Sequence, residues 1–268
     1  MVVGSAYGQA FKHKPYGEYV MALLRSLLHL LWMLVTVIPV AFAMLFAAAL
    51  RFSSHRLYRM AVFWLSLAIG GAKYLLGIRY EIKGWENLPS TDQPVILLVK
   101  HQSTYETFLM PVIMPCDLAY VFKKELLYVP FFGWGIGRLD MIHIDRKLRS
   151  QAFQKVVSQG KALLDRGVWV IMFPEGTRID RGQAGVYKSG GTRLAIETGV
   201  PVIPIAVNSA RCWPRKALVK FPGTVTVSIG PQIDSTGRQP EEMMQQVQHW
   251  IESEMHLLDP DAYATTPA

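Results

Sequence analysis

The sequence predicts an α/β protein: a mixed, mostly parallel sheet of about seven strands flanked by helices, behind an N-terminal membrane-associated helical segment. Three observations carry this. Seven short apolar runs recur between residues 79 and 229, helical spacing fills several of the intervals, and residues 26–50 contain no Asp, Glu, Lys or Arg.

The uncharged run, SLLHLLWMLVTVIPVAFAMLFAAAL, would reach roughly 37 Å as a helix, against ~30 Å for a hydrocarbon core. Pro39 lies mid-run, where it can kink the helix or split it into a re-entrant hairpin. A second apolar stretch, residues 60–78, follows Arg51, Arg56 and Arg59 and is interrupted by Gly70, Gly71 and Lys73. The first run is too long for a signal peptide, and no small-residue cleavage site follows it. Lys12, Lys14 and Arg25 precede that run and the three arginines follow it, so the positive-inside rule gives no single-span answer. A helical hairpin dipping into one leaflet, with both basic ends at the cytoplasmic face, fits better than a crossing. Residues 1–78 are therefore expected to be membrane-anchoring helices, 79–258 a catalytic-type α/β domain and 259–268 a loose tail.

Candidate strands are 79–82, 94–99, 118–122, 141–144, 168–173, 202–207 and 224–229. The fifth and sixth are almost wholly apolar, as strands covered on both faces should be. Residues 148–166 place apolar side chains at 148, 152, 153, 156, 157, 163 and 164, a helical period ended by Gly167. Residues 193–198 before Gly199 form a shorter helix. Pro240 opens a last one, with Glu241 and Glu242 in its first turn and Met244, Val247, Ile251 and Leu258 on its apolar face. Strands alternating with helices argue for a parallel or mixed sheet.

Composition narrows the partner. The chain has 268 residues, 51% of them apolar, and 28 Lys+Arg against 20 Asp+Glu, with a mean hydropathy of +0.20 and a pI near 9.5. A basic balance favours nucleic acid or a membrane surface. No face interleaves aromatics with Lys and Arg, and the uncharged N-terminus favours the membrane, so nucleic acid is not expected. Cys116 and Cys212 lie far apart and read as free thiols.

Several motifs fail. Residues 185–192, GVYKSGGT, resemble a phosphate loop, but Gly191 stands where the lysine should be. Gly133, Gly135 and Gly137 lack dinucleotide-binding spacing. There is no Gly-x-Ser-x-Gly elbow. Nor is there a His-Glu-x-x-His or Cys-x-x-Cys pattern, so neither metal nor cofactor is expected.

Two constellations remain. Lys100-His101-Gln102-Ser103-Thr104-Tyr105-Glu106 follows an expected strand, and strand ends are where α/β sheets build sites. On one regular helix His101 and Glu106 would diverge by about 140°. They meet if His101 sits in the strand-to-helix turn, where the carboxylate would fix the imidazole as a general base. The bland alternative is a helix cap, Ser103 or Thr104 with Glu106 completing a capping box. Phe173-Pro174-Glu175-Gly176-Thr177-Arg178 follows the fifth strand. There Gly176 would admit a backbone N–H to an anion, Thr177 adds a hydroxyl and Arg178 a two-pronged donor. Arg146 and Lys123-Lys124 lie at two further strand ends, so three successive ends present cations.

These blocks resemble the glycerolipid acyltransferases, and within them the bacterial 1-acyl-glycerol-3-phosphate (lysophosphatidate) acyltransferases. His101 to Glu106 is similar to the family's His-x4-Asp block. Lys123 to Leu126 with Pro130-Phe131-Phe132-Gly133-Trp134 and Ile144-Asp145-Arg146 is similar to the second, Phe173 to Arg178 to the third, and Val200-Pro201-Val202-Ile203-Pro204-Ile205 to the fourth. The resemblance spans about residues 80–230, with Glu106 where aspartate is usual. It implies acyl transfer from acyl-CoA or acyl-carrier protein to the sn-2 hydroxyl of a lysophosphatidate, giving phosphatidic acid. His101 would be the base and Glu106 its orienting acid. Lys123, Arg146, Glu175, Gly176, Thr177 and Arg178 would hold the substrate phosphate. The expected place is the cytoplasmic face of a bacterial inner membrane. Glycerol-3-phosphate, a lyso-ornithine lipid or another lysophospholipid is the alternative acceptor, and a non-enzymatic scaffold is the remote alternative.

Overall fold

The computed structural model of the chain describes residues 16–145 and 149–263. All seven expected strands form, within two residues of the expected limits. They are β1 (Ile78–Lys83), β2 (Ile96–Val99), β3 (Leu118–Lys123), β4 (Ile142–Ile144), β5 (Trp169–Met172), β6 (Val202–Val207) and β7 (Gly223–Ile229). They make one sheet in the order β1-β7-β6-β2-β5-β3-β4. Every neighbouring pair is parallel except β6 and β7, which pair antiparallel through Ile205–Ile229. The sheet is thus mixed and mostly parallel, and β2, the strand that leads to His101, lies at its centre.

Burial on both sheet faces explains the unbroken apolar runs. Val95, Leu97, Val99, Ile203, Ile205 and Val207 point into one core, and Ile96, Leu98, Val202 and Ala206 into the other. This is the period-two alternation of a strand with helices on both sides. The first core is covered by α2 (Ser54–Gly71) and α3 (Tyr105–Ile113). The second is covered by α5 (Arg149–Leu164), α6 (Gly190–Thr198) and α7 (Pro240–Leu258).

The N-terminus corrects one expectation. Residues 16–49 form a single helix, α1 (Tyr16–Ala49), that runs through Pro39 without a break. The hairpin turns instead at residues 50–53, where Ser53 caps α2 by accepting from Arg56 N–H. Polar bonds hold α1 to α2: His29 Nε2 faces Ala68 O at 3.0 Å, Trp32 Nε1 donates to Leu67 O at 2.9 Å, and Trp64 Nε1 donates to Thr36 Oγ1 at 3.2 Å. Gly71 permits the approach, since a Cβ there would stand 2.6 Å from the Trp32 ring. The hairpin also joins the sheet domain. Tyr58 OH accepts from Leu118 N–H at 3.0 Å, and Ser26 Oγ accepts from Lys220 N–H at 2.9 Å. The other side of α1 exposes Leu24, Leu28, Leu31, Val35, Ile38, Phe42 and Phe46. By length and composition, the helical spans Tyr16–Ala49 and Ser54–Leu76 are each long and apolar enough to cross a membrane.

A short helix, α4 (Phe132–Ile136), closes the β3–β4 connection. The tail is ordered further than expected: α8 (Pro260–Tyr263) continues from α7, and Tyr263 is buried. Residues 264–268 lie outside the described residues.

Candidate active site

The chain leaves β2 at Val99 and turns through residues 100–104 before α3 starts at Tyr105. That turn brings together the two residues a regular helix would have separated. His101 Nδ1 lies 2.9 Å from Glu106 Oε1. The same oxygen accepts from Gln102 N–H at 2.9 Å and Ser103 N–H at 2.6 Å, and Glu106 Oε2 accepts from Ser209 Oγ at 2.6 Å. Ser103 Oγ in turn accepts from Tyr105 N–H at 3.0 Å. One half of the capping box, Glu106 accepting from Ser103 N–H, and the His–carboxylate pair therefore use the same oxygen. Glu106 is fully buried, and its carboxyl oxygens meet His101 Nδ1, two backbone N–H groups and the Ser209 hydroxyl. An anionic acceptor on Nδ1 selects the tautomer with the proton there, which leaves Nε2 as the basic nitrogen. The imidazole stacks on Phe173, with ring centroids 3.9 Å apart and 16° between planes. His101 is thus fixed in the plane of the ring by Glu106 and from one face by Phe173.

A cavity of about 610 Å³ opens in front of His101, and Lys123, Gly176, Thr177 and Arg178 also line it. Arg178 is oriented by donating Nε–H to Ser103 O at 2.8 Å, inside the His101 turn. Three cations that sequence reading did not place here line the same cavity: Lys188, Arg215 and Lys216. Lys188 belongs to the stretch set aside as a failed phosphate loop. That stretch folds back on the third block, with Lys188 N–H donating to Pro174 O at 2.9 Å. Lys124 is turned away, paired with Asp145 at 2.8 Å. Arg146 lies outside the described residues.

One expectation for the third block is corrected, the exposure of Glu175 to the cavity. Gly176 N–H bonds Phe173 O at 2.9 Å inside its own turn. The glycine is needed because φ is +67° there, and a Cβ would stand 3.0 Å from Lys188 Nζ. Glu175 does not line the cavity. It is buried behind it, where Oε1 accepts from His101 N–H at 3.3 Å and faces Lys100 Nζ at 3.4 Å. Lys100 is itself fully buried, bonded to Glu252 Oε1 at 2.6 Å and to Gln183 O at 3.2 Å. Tyr187 OH donates to the same Glu252 oxygen at 2.7 Å. Two carboxyl groups thus meet one buried ammonium. Burial pushes the Glu175 carboxyl up to about 7, with Lys100 and the His101 N–H opposing the shift. This network ties α7 to the backbone of the His101 turn. Arg181 adds a two-pronged bond to Asp259, 2.6 Å on each arm, which pins the loop after the third block to the end of α7. Of these residues only Glu175 was singled out from sequence, and for a different role.

Beside the polar cavity lies an apolar one, lined by Val37, Ala41 and Met44 of α1, Val62 and Trp64 of α2, Phe108 of α3 and Phe131. Thr107, Tyr120, Phe122 and Leu126 line both. An imidazole base thus faces a cationic cavity that adjoins an apolar one. The arrangement can take a proton from a hydroxyl, hold an anionic group nearby and shelter a hydrocarbon chain.

Comparison with known proteins agrees with this chemistry. The family model described as Acyltransferase matches residues 79–208. A 1-acyl-sn-glycerol-3-phosphate acyltransferase of Pseudomonas aeruginosa is 43% identical over 200 residues, covering 74% of this chain and 77% of that protein. The mouse 1-acyl-sn-glycerol-3-phosphate acyltransferase alpha is 33% identical over 67% of this chain, which spans 63% of the mouse protein's length. Among solved structures, the 1-acyl-sn-glycerophosphate acyltransferase of Thermotoga maritima matches with a TM-score of 0.75 and 25% identity, over 90% of this chain and 97% of that one.

Proposed function

The chain belongs to the 1-acyl-sn-glycerol-3-phosphate acyltransferase family, and we propose that it moves a fatty acyl group from a thioester to the sn-2 hydroxyl of 1-acyl-glycerol-3-phosphate, giving phosphatidic acid. His101 Nε2 takes the hydroxyl proton while the oxygen attacks the thioester carbonyl. The tetrahedral intermediate collapses, the C–S bond breaks, and the departing thiolate takes the proton back from the imidazolium. Glu106 keeps the ring oriented and stabilises its charged form. Arg178, Lys188, Lys123 and Thr177 hold the acceptor phosphate. Glu175 supports the His101 backbone from behind. The apolar cavity receives the acyl chain. The single observation that carries the reading is the 2.9 Å His101–Glu106 pair at the wall of a cavity that Arg178 also lines.

The exposed apolar side of α1 lies in the cytoplasmic leaflet of a bacterial inner membrane, so a two-tailed product never crosses water. The donor is acyl-CoA or acyl-carrier protein. Purified protein in mixed micelles, supplied with one acyl thioester and a panel of lysolipids, tests the assignment by thiol release. Lysophosphatidate should give the highest kcat/KM. A higher value with glycerol-3-phosphate or a lysolipid lacking the phosphate would overturn it.

A further inference from the structure

The cavity in front of His101 is lined by Lys123, Arg178, Lys188, Arg215 and Lys216 and, among the described residues, by no Asp or Glu. One phosphate monoester carries about −1.5 to −2 at neutral pH, which leaves cationic charge over. The excess is also spread out. Lys123 ends β3, whereas Arg215 and Lys216 follow β6, and the order β6-β2-β5-β3 puts three strand steps between those ends. At ~4.8 Å per step the ends of β3 and β6 themselves stand roughly 14 Å apart, with His101 after β2 between them, and the loop after β6 carries Arg215 back onto the block after β5. From this we infer that Arg215 and Lys216 form a second anion site, which receives the phosphate of the thioester donor's phosphopantetheine arm. The inference rests on the acyltransferase reading above.

The local structure is built to present these two side chains. Phe221 N–H bonds Cys212 O at 2.9 Å, closing the loop that carries them, and Ala217 N–H bonds Pro214 O at 3.3 Å within it. The loop springs from Ser209, whose hydroxyl holds Glu106 at 2.6 Å, and Trp213 N–H bonds Ser209 O at 2.9 Å. Arg215 is anchored over the third block by donating to Arg178 O, with Asp180 3.5 Å from its Nε. Lys216 stands next to it, exposed, at φ +58°. That conformation is strained for a residue with a Cβ and free for glycine. A lysine held there fits a position where charge matters more than backbone comfort.

Reach separates the two ligands. In the acceptor, only the glycerol carbons lie between the reacting hydroxyl and the phosphate, so that phosphate stays beside His101, with Arg178 and Lys188. In the donor, the whole pantetheine arm lies between the thioester and its phosphate. With the acyl chain in the apolar cavity on the β3 side, the arm leaves across His101 toward the loop after β6. CoA and the prosthetic group of a carrier protein share that arm and phosphate.

Lys216→Gly removes the charge and keeps the backbone conformation. The expected result is a threefold to fivefold rise in KM for palmitoyl-CoA, the scale of one exposed charge contact, with KM for lysophosphatidate unchanged. The preference for palmitoyl-CoA over palmitoyl-N-acetylcysteamine, which lacks phosphate, should fall by the same factor, and Lys216→Arg should restore it. A parallel rise with palmitoyl-carrier protein assigns the phosphate both donors share; a rise with the CoA thioester alone assigns the nucleotide's phosphates. A rise confined to KM for lysophosphatidate, or no rise with either donor, overturns the inference. Calorimetric binding of CoA to His101→Ala, with and without Lys216→Gly, reads the same site without turnover. Failure of the unaltered protein to acylate lysophosphatidate would sink the function proposed above, while CoA binding that depends on Lys216 would leave this site standing.

Discussion

The two rims of the sheet hold cavities of opposite character. At the C-terminal rim, cations converge on His101 around a cavity of about 610 Å³ that no Asp or Glu lines among the described residues, although Asp180 stands 3.5 Å from Arg215 Nε at its edge. At the N-terminal rim a cavity of about 320 Å³ is lined by Ser54, His55, Cys116, Asp117, Asp140 and Arg166. Its charges are paired off: His55 Nδ1 lies 2.8 Å from Asp117, and Arg166 meets Asp140. Both rims are polar, concave and rich in titratable groups. What separates them is whether carboxylates share the lining with the cations. A site that must receive an anion leaves cations to be completed by the ligand. A structural rim satisfies its own groups, and exposed pairs of that kind contribute little to stability.

The contrast breaks most severely at His101. His101→Ala should lower acyl transfer about 10³-fold or more, the upper range for a general base, with an unchanged far-ultraviolet circular dichroism spectrum. Glu106→Gln should lose about 10²-fold, because the amide sets an N–H₂ against the donors that converge there. Glu106→Asp should stay within about tenfold of the native rate, since the carboxylate survives and only its reach to Ser209 is shortened. Equal loss in both variants would remove the orienting role from Glu106.

A middle-sized effect tests the buried network behind His101. Glu175 has a folded pKa of about 7 against the usual 4.5. Between those values the folded chain keeps a proton that the unfolded chain releases, so stability falls as pH rises from about 4.5 to about 7 and levels off above. The drop is on the order of 3 kcal/mol, several degrees in thermal midpoint. Glu175→Gln should flatten this slope in detergent melts, and a slope that persists would mean the group titrates elsewhere. The smallest effect belongs to the opposite rim. His55→Ala should shift stability by less than about 1 kcal/mol and leave kcat/KM as it was. A tenfold loss there would erase the distinction between the rims.

How far the site was legible depends on sequence distance. The His101–Glu106 turn could be read because both residues lie in one short segment at a strand end, although a cap and a catalytic pair remained alternatives. The folded turn shows why no choice was needed: Glu106 Oε1 takes both backbone N–H groups and the imidazole. Glu175 was misplaced because a charged residue after a strand reads as exposed. Its burial depends on Lys100, which in turn is held by Glu252, 152 positions away. Lys188, Arg215 and Lys216 sit in segments with no motif of their own. They become part of the site only because the chain folds those segments over the third block.

The sequence by itself determined the seven strands, the helices between and after them, the apolar N-terminus and the family blocks. Each of these is written in local periodicity or short spacing, which neighbouring residues impose on one another. The tertiary structure alone decided three things: that the hairpin turns after Ala49 and not at Pro39, that Glu175 supports His101 from behind, and which cations face the cavity. Pro39 removes one hydrogen bond from a long helix that packing against α2 sustains. A buried charge is tolerable only where a distant partner meets it. Which cations line the cavity depends on distant segments being folded over one block, and no local stretch of sequence states that condition.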